Sequence, residues 1–240
     1  MPFNIYWGCT INSRLPQIKD SMRRVLRAAE MDFRESEGDS CCGLPLILAG
    51  DFGAAKRQAS AIIGELKDVG TVITPCAGCY ATFTKRYPST LQLQMNFKVM
   101  HSTQLIDRLL ADGNLKLKGG HGRAVYHDPC ELGRECGTYA EPRRILRSMP
   151  EVEVVGAELA GERSNCCGGG GLLPSCYPDL AIEIASRRIA RDLIPLRPEI
   201  LVTSCPSCYL NFSRALERGE YGLRLVDITE LVAERISGEE

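Results

Sequence analysis

Ten of the twelve cysteines in this 240-residue chain fall into two series of one form. The first is Cys9, Cys41, Cys42, Cys76 and Cys79; the second is Cys130, Cys166, Cys167, Cys205 and Cys208. In each series one cysteine stands alone, two are adjacent ahead of a glycine, and two form a Cys-X-X-Cys turn. An iron–sulfur cluster needs several thiolates converging from different chain segments, and each series offers five. A tetrahedral zinc takes four and leaves one cysteine of each series spare. Spacing therefore favours clusters and keeps zinc as the alternative. A thioredoxin-like Cys-X-X-Cys pair explains neither the Cys-Cys-Gly element nor the doubling. A disulfide framework suits small secreted domains better than a chain of this length.

Two adjacent cysteines in an extended strand point to opposite faces. For Cys41 and Cys42, or Cys166 and Cys167, to converge, the backbone must bend, and Gly43 and Gly168 permit it. The run Gly168 to Gly171 lets the backbone approach a cluster, where N–H groups can hydrogen-bond sulfur and tune the potential. Gly43, Gly168 and Gly169 are the cofactor-contacting candidates. The run has no following Lys-Ser or Lys-Thr and no GxGxxG spacing, so it reads as neither a P-loop nor a dinucleotide turn. Cys136 and Cys176 have no counterpart in the other series and read as buried small hydrophobes. His101 and His127 are candidate proton donors, because histidine titrates near neutral pH; a structural histidine tied to a loop is the plainer reading of each. Asp227 stands where His101 would repeat.

The elements that must position these residues also repeat. Val72 to Tyr80 matches Leu201 to Tyr209, and Val99 to Ile106 matches Leu225 to Val232. Such self-similarity fixes the architecture early. Phe3–Trp7 and Ala124–His127 read as short strands, as do Thr71–Thr74 and Ile200–Thr203, which run into the Cys-X-X-Cys turns. Ile18–Met31, Ala54–Asp68, Gln104–Leu110, Pro142–Met149, Leu180–Ile194 and Thr229–Ile236 carry helical periodicity. Strands alternating with helices predict an α/β fold. It comprises two pseudo-symmetric repeats, each a small, largely parallel sheet with flanking helices and a cysteine-bound cluster at the strand ends. The glycine-rich stretch Lys116 to Gly122 marks the seam, giving domains 1–118 and 119–240.

With 44% apolar and 25% charged residues the composition is that of an ordinary globular protein. A net charge of −1 argues against nucleic-acid binding, which needs a basic field. No apolar run is long enough to span a bilayer, and the N-terminal residues lack a basic segment followed by an apolar one. The expected location is cytoplasmic.

Cys9…Cys41-Cys42-Gly43…Cys76-Ala-Gly-Cys79 and Cys130…Cys166-Cys167-Gly168…Cys205-Pro-Ser-Cys208 resemble the paired cysteine-rich CCG domains of the family typified by the B subunit of heterodisulfide reductase. Tyr126 to Arg134 and Cys166 to Gly171 add to the likeness, which covers essentially the whole chain. The resemblance implies that all ten cysteines are metal ligands. They would hold two non-cubane [4Fe-4S] clusters between which a small disulfide is reduced, or thiols are oxidised. In some relatives one half is incomplete or carries zinc, and on that ground the first site is the one open to zinc. No Cys-X-X-Cys-X-X-Cys-X-X-X-Cys-Pro run of a ferredoxin-type cubane is present. The resemblance accordingly implies a ferredoxin-like C subunit and a flavin-containing A subunit as electron-delivering partners. The competing expectations are a non-catalytic electron-transfer subunit of a flavoprotein or quinone-linked oxidoreductase, and a structural zinc protein.

Overall fold

The structure is a computed structural model that describes residues 3–36 and 41–237. The first half runs β1 (Phe3–Ile5), α1 (Gly8–Arg14), α2 (Pro16–Ala28), β2 (Phe33–Glu35), α3 (Leu44–Leu48), α4 (Phe52–Glu65), β3 (Thr71–Thr74), α5 (Ala77–Ala81). A π-helical turn, Thr82–Arg86, then leads into α6 (Tyr87–Ser89), β4 (Lys98–His101) and α7 (Ser102–Ala111). The second half runs β5 (Gly122–Tyr126), α8 (Ala140–Arg147), β6 (Val152–Val155), α9 (Leu173–Cys176), α10 (Pro178–Arg188), β7 (Ile200–Thr203), α11 (Pro206–Arg218), β8 (Arg224–Asp227) and α12 (Ile228–Ala233).

Each half folds around a four-stranded parallel sheet, in the orders β2-β1-β3-β4 and β6-β5-β7-β8. The expected α/β fold of two repeats is therefore what the chain adopts. The central strands β3 and β7 are buried along almost their whole length, as expected of parallel strands covered on both faces. In both sheets the strand order reverses between the two central strands, β1/β3 and β5/β7. Such a reversal opens a crevice at the carboxyl ends of the strands. The lone cysteine and the Cys-X-X-Cys turn of each half leave the sheet at that crevice.

The strands are shorter than the sequence suggests. β1 stops at Ile5 and β5 at Tyr126, so Cys9 and Cys130 lie a few residues past the strands rather than at their last positions. Gly8, at φ +74°, turns the first of these loops into α1. The outer strands β2, β4, β6 and β8 escape the sequence reading because they are short and only partly buried.

The halves pack through helices exchanged in a reciprocal way: α2 lies against α12, and α7 against α8. Here α2 and α8 occupy equivalent places in their halves, as do α7 and α12, so the two contacts are related by a pseudo-twofold. Ile18, Met22, Val25 and Leu26 of α2 meet Ile228, Leu231 and Val232 of α12 in one continuous core that also contains β1 and β3. A second apolar cluster, with Ala185, Ile189, Phe212 and Ala215, backs the far face of the second sheet. No helix among the described residues is long and apolar enough to cross a membrane.

Candidate metal centres

In the first half the sulfur-bearing side chains meet in the order Cys9, Cys41, Cys42, Cys79, Cys76. In the second half the order is Cys130, Cys166, Cys167, Cys208, Cys205, with the Sγ atoms of Cys167 and Cys208 3.1 Å apart. The two chains of contact are the same position by position. Each Cys-Cys pair joins the lone cysteine on one side to the Cys-X-X-Cys turn on the other.

Backbone amides face these sulfurs in matching places. Gly168 N donates to Cys166 Sγ and Gly169 N to Cys167 Sγ, both at 3.3 Å. In the first half Gly43 and Leu44 supply the equivalent donors to Cys41 and Cys42. Cys79 N donates to Cys76 Sγ at 3.4 Å at the start of α5, and Ser207 and Cys208 do so for Cys205 at the start of α11. Gly43 and Gly168 hold φ of +80° and +74°, a left-handed bend after each adjacent pair; Cys42 and Cys167 are buried, Cys41 is partly buried and Cys166 is exposed. Gly8 serves in another way: a Cβ there would sit 2.8 Å from Cys79 Sγ.

Crowded sulfurs compete for protons. Hydrogen bonds from Cys41 and Cys79 hold the Cys42 thiol well below its usual range. Hydrogen bonds from Cys130 and Cys167 bring Cys166 down to about 2, with the Gly168 amide assisting. Cys205 is lowered by Cys208. Facing such neighbours, Cys9, Cys41, Cys79, Cys130, Cys167 and Cys208 are all pushed up, chiefly through the hydrogen bonds they give. Five sulfurs in contact cannot all ionise unless cations sit among them. The donor set and its amide lining thus fit a multinuclear, thiolate-bound group.

The histidines sit deeper than proton donors to a substrate would. His101 is fully buried and caps α7: Thr103 N donates to its Nδ1 at 3.2 Å, and Gln104 completes the capping box. Asp227 caps α12 in the same way, with Thr229 and Glu230. His101 also reaches the backbone of Pro75 and Ser204, the residues ahead of Cys76 and Cys205. Burial lowers its pKa to about 3, leaving it neutral at pH 7. His127 is equally buried, lowered to about 3 mainly by desolvation, and packs edge-on against Phe212. A ring nitrogen of His127 and the Sγ atoms of Cys167 and Cys208 lie within 4.8 Å of one another.

Cys136 is partly buried and touches Thr84 Oγ1. Cys176 is exposed at the end of α9, a correction to its reading as a buried hydrophobe; α9 is a single turn with no buried face. Other residues at the sites carry no sequence signal as strong as the cysteines. Tyr87 Oη donates to Cys42 O at 3.0 Å, and Asn211 Nδ2 donates to Cys167 O at 2.6 Å, so a different side chain braces each Cys-Cys turn. Asn211 is legible in retrospect as a polar residue on the apolar face of α11 between Cys208 and Phe212. Asp128 accepts two hydrogen bonds from Arg143, at 2.7 and 2.8 Å, and one from Gly161 N. Arg86 and Glu131 join the halves beside Cys130.

A cleft of about 330 Å³ opens between the halves. One wall carries Cys9 and the Leu44 segment that follows the first Cys-Cys-Gly turn; the other carries Gly169 to Gly171, after the second, with Asn211. Arg14 and Arg214 contribute the cationic groups of the lining. A second opening, of about 250 Å³, reaches Cys166 from the side of α10.

The sequence profile of the cysteine-rich CCG domain matches twice, over residues 3–84 and 124–213. The chain is 33% identical over 230 residues to the B subunit of the fumarate reductase (CoM/CoB) of Methanothermobacter marburgensis, covering 95% of this chain and 45% of that one. It is 29% identical over 238 residues to the D subunit of the dihydromethanophenazine:CoB–CoM heterodisulfide reductase of Methanosarcina acetivorans, covering 96% and 58%. A more distant relative is the EtfAB:quinone oxidoreductase of Syntrophomonas wolfei, 27% identical, with 95% and 33% covered. The chain thus spans about half the length of the first two relatives and a third of the last. These relatives are oxidoreductases or parts of them.

Proposed function

The chain belongs to the cysteine-rich CCG-domain family, and on that premise we propose that it is the iron–sulfur catalytic subunit of a heterodisulfide reductase-like complex. It would reduce a small disulfide, or oxidise the thiols, at two non-cubane [4Fe-4S] clusters. The five cysteines of each half are the proposed ligands, with the amides of Gly43, Gly168 and Gly169 lining them. When bound, such clusters supply the two electrons that disulfide cleavage requires.

The observation that carries this reading is the cleft. Its two walls are the segments that follow the two Cys-Cys-Gly turns, and Cys9 lines it directly. A disulfide held there would lie against Cys9 and beside the glycine run that follows Cys166 and Cys167. Binding and orientation fall to the chain's own residues. Arg14 and Arg214 suit a substrate with an anionic tail, and Asn211 keeps the Cys166–Cys167 turn in place from within the wall. Holding reactants in register is itself worth effective molarities of about 10⁵ M or more. Protons for the product thiolates would enter from water through the open cleft, since His101 and His127 are both buried and neutral. Electrons would come from a ferredoxin-like C subunit and a flavin-containing A subunit, and a cytoplasmic location belongs to the same proposal. The relationship to a quinone oxidoreductase supports a second reading, a non-catalytic electron-transfer subunit of a flavoprotein or quinone-linked complex.

Anaerobic purification with iron, sulfide and zinc analysis tests the first step; about eight irons per chain are expected from two four-iron clusters. Zinc as the only metal in both halves would sink the cluster reading, and zinc in the first half alone would reduce it to one cluster. Titration with small disulfides and thiols, followed by paramagnetic resonance and by turnover with a reduced dye, separates the two redox readings. Full iron with neither spectral change nor turnover would favour electron transfer.

A further inference from the structure

The two five-cysteine sites are equivalent sulfur by sulfur, but the next side chain in the wall is not. β1 and β5 pair with β3 and β7 in the same register, and Tyr6 N donates to Ile73 O at 2.8 Å just as His127 N donates to Val202 O at 2.9 Å. Tyr6 and His127 therefore hold the same place. Their rings are also held alike: Tyr6 lies edge-on to Phe83, with centroids 5.0 Å apart at 77°, and His127 edge-on to Phe212, 4.8 Å apart at 85°. At this one position the first half has a phenol and the second an imidazole.

The imidazole is placed as a donor. His127 is 1% exposed, and neither Nδ1 nor Nε2 has a hydrogen-bond partner. Leaving both nitrogens of a buried ring unpaired is unfavourable. Buried polar groups in this state point to something that completes them. The Sγ atoms of Cys167 and Cys208 lie within 4.8 Å of a ring nitrogen and of each other. Metal–sulfur bonds of about 2.3 Å and metal–nitrogen bonds of about 2.0 Å span at most about 4.3 Å across one metal, so a donor at the outer limit of that spread needs a small inward shift to share one. Phe212 packs edge-on against the ring and restricts its tilt.

We propose that His127 places an imidazole nitrogen on the metal group of the second half, a donor the first half lacks. The two sites, built on the same cysteine pattern, are then chemically different. The inference rests on the reading of the cysteines as metal ligands.

The test is pulsed paramagnetic resonance on anaerobically purified, reduced protein grown with ¹⁵N-histidine, alongside iron analysis. The wild type should show one ¹⁵N coupling on one of two signals. His127→Phe and His127→Tyr, the second copying the first half, should lose that coupling. The other signal should stay unchanged, which also reports that the variant is folded. His101→Asn should keep the coupling. Absence of the coupling in wild-type protein that holds iron in the second half, or its survival in His127→Phe, would overturn the proposal. If the second half holds zinc instead, the cluster reading fails separately and cobalt(II) substitution carries the same test. One cobalt equivalent should change its ligand-field bands in His127→Phe, and unchanged bands would overturn the proposal.

Discussion

Substitution of the Cys-Cys-Gly glycines by alanine should cost unequal amounts in the two halves, although both glycines hold the same bend. Gly43, Gly168 and Gly50 have φ of +80°, +74° and +81°. An alanine at any of them is forced into the left-handed region, at about 1–2 kcal/mol. Gly50 faces open space, so Gly50→Ala measures that strain alone. At Gly43 the new Cβ would meet Ala55 O at 3.7 Å, an ordinary contact, and Gly43→Ala should cost about the same 1–2 kcal/mol. At Gly168 it would stand 2.8 Å from Ala181 O and 3.0 Å from Ile184 Cβ, both parts of α10 that cannot swing away. Overpacking of this kind adds about 1–3 kcal/mol, for a total of about 2–5 kcal/mol. In a chain of this size each kcal/mol lowers Tm by about 2–4 °C. Thermal unfolding followed by circular dichroism, under reducing anaerobic conditions, should rank the variants Gly50→Ala ≈ Gly43→Ala, with Gly168→Ala clearly lower. Metal loss in Gly168→Ala should be confined to the second half, since Gly168 N is also a donor to Cys166. Equal shifts for Gly43→Ala and Gly168→Ala would refute the reasoning that the second turn is wedged against α10.

Cys42→Ala and Cys167→Ala should each halve the metal content by emptying only their own site, whereas Cys136→Ala and Cys176→Ala should retain all of it; elemental analysis decides. Arg14→Ala and Arg214→Ala should raise KM for an anionic disulfide severalfold with kcat nearly unchanged, and leave a neutral disulfide unaffected. The pseudo-equivalent caps His101 and Asp227 should titrate with opposite sign. Burial lifts Asp227 from 3.8 to about 7, so the folded chain binds the extra proton and this contribution to stability is lost as pH rises through about 7. Burial drops His101 from 6.5 to about 3, so its contribution is lost as pH falls through that window. Between pH 4 and 7 Asp227→Asn should therefore gain stability relative to wild type as pH rises, and His101→Asn should lose it. Urea midpoints across this range check both slopes.

The cysteine spacing made the candidate sites legible because a metal ligand must be a particular atom, and the doubling exposed the repeat without any knowledge of contacts. The apolar runs Thr71–Thr74 and Ile200–Thr203 stood out for a related reason: a strand buried on both faces has no polar alternation to blur it. The outer strands did not, since a three- or four-residue segment with one wet face carries almost no periodic signal. The reciprocal packing of α2 on α12 and α7 on α8 was also hidden, because the helical pattern says that a face is buried but not against what.

His101 shows the limit at a single residue. From the sequence it offers a titratable ring beside a Cys-X-X-Cys turn; the fold makes it the cap of α7, dry and neutral. His127 shows the reverse. Its repeat partner is Tyr6, and nothing in its neighbourhood in sequence says that its ring lies within reach of two sulfurs. The donor atoms, the two halves and the parallel α/β plan follow from residue type and local spacing, so they could be read along the chain. The order in which the sulfurs meet, the cleft between the two Cys-Cys-Gly turns, and the unpaired imidazole beside one site but not the other could not. Each of these depends on side chains far apart in the chain coming within a few ångströms, and that is set by how whole elements pack.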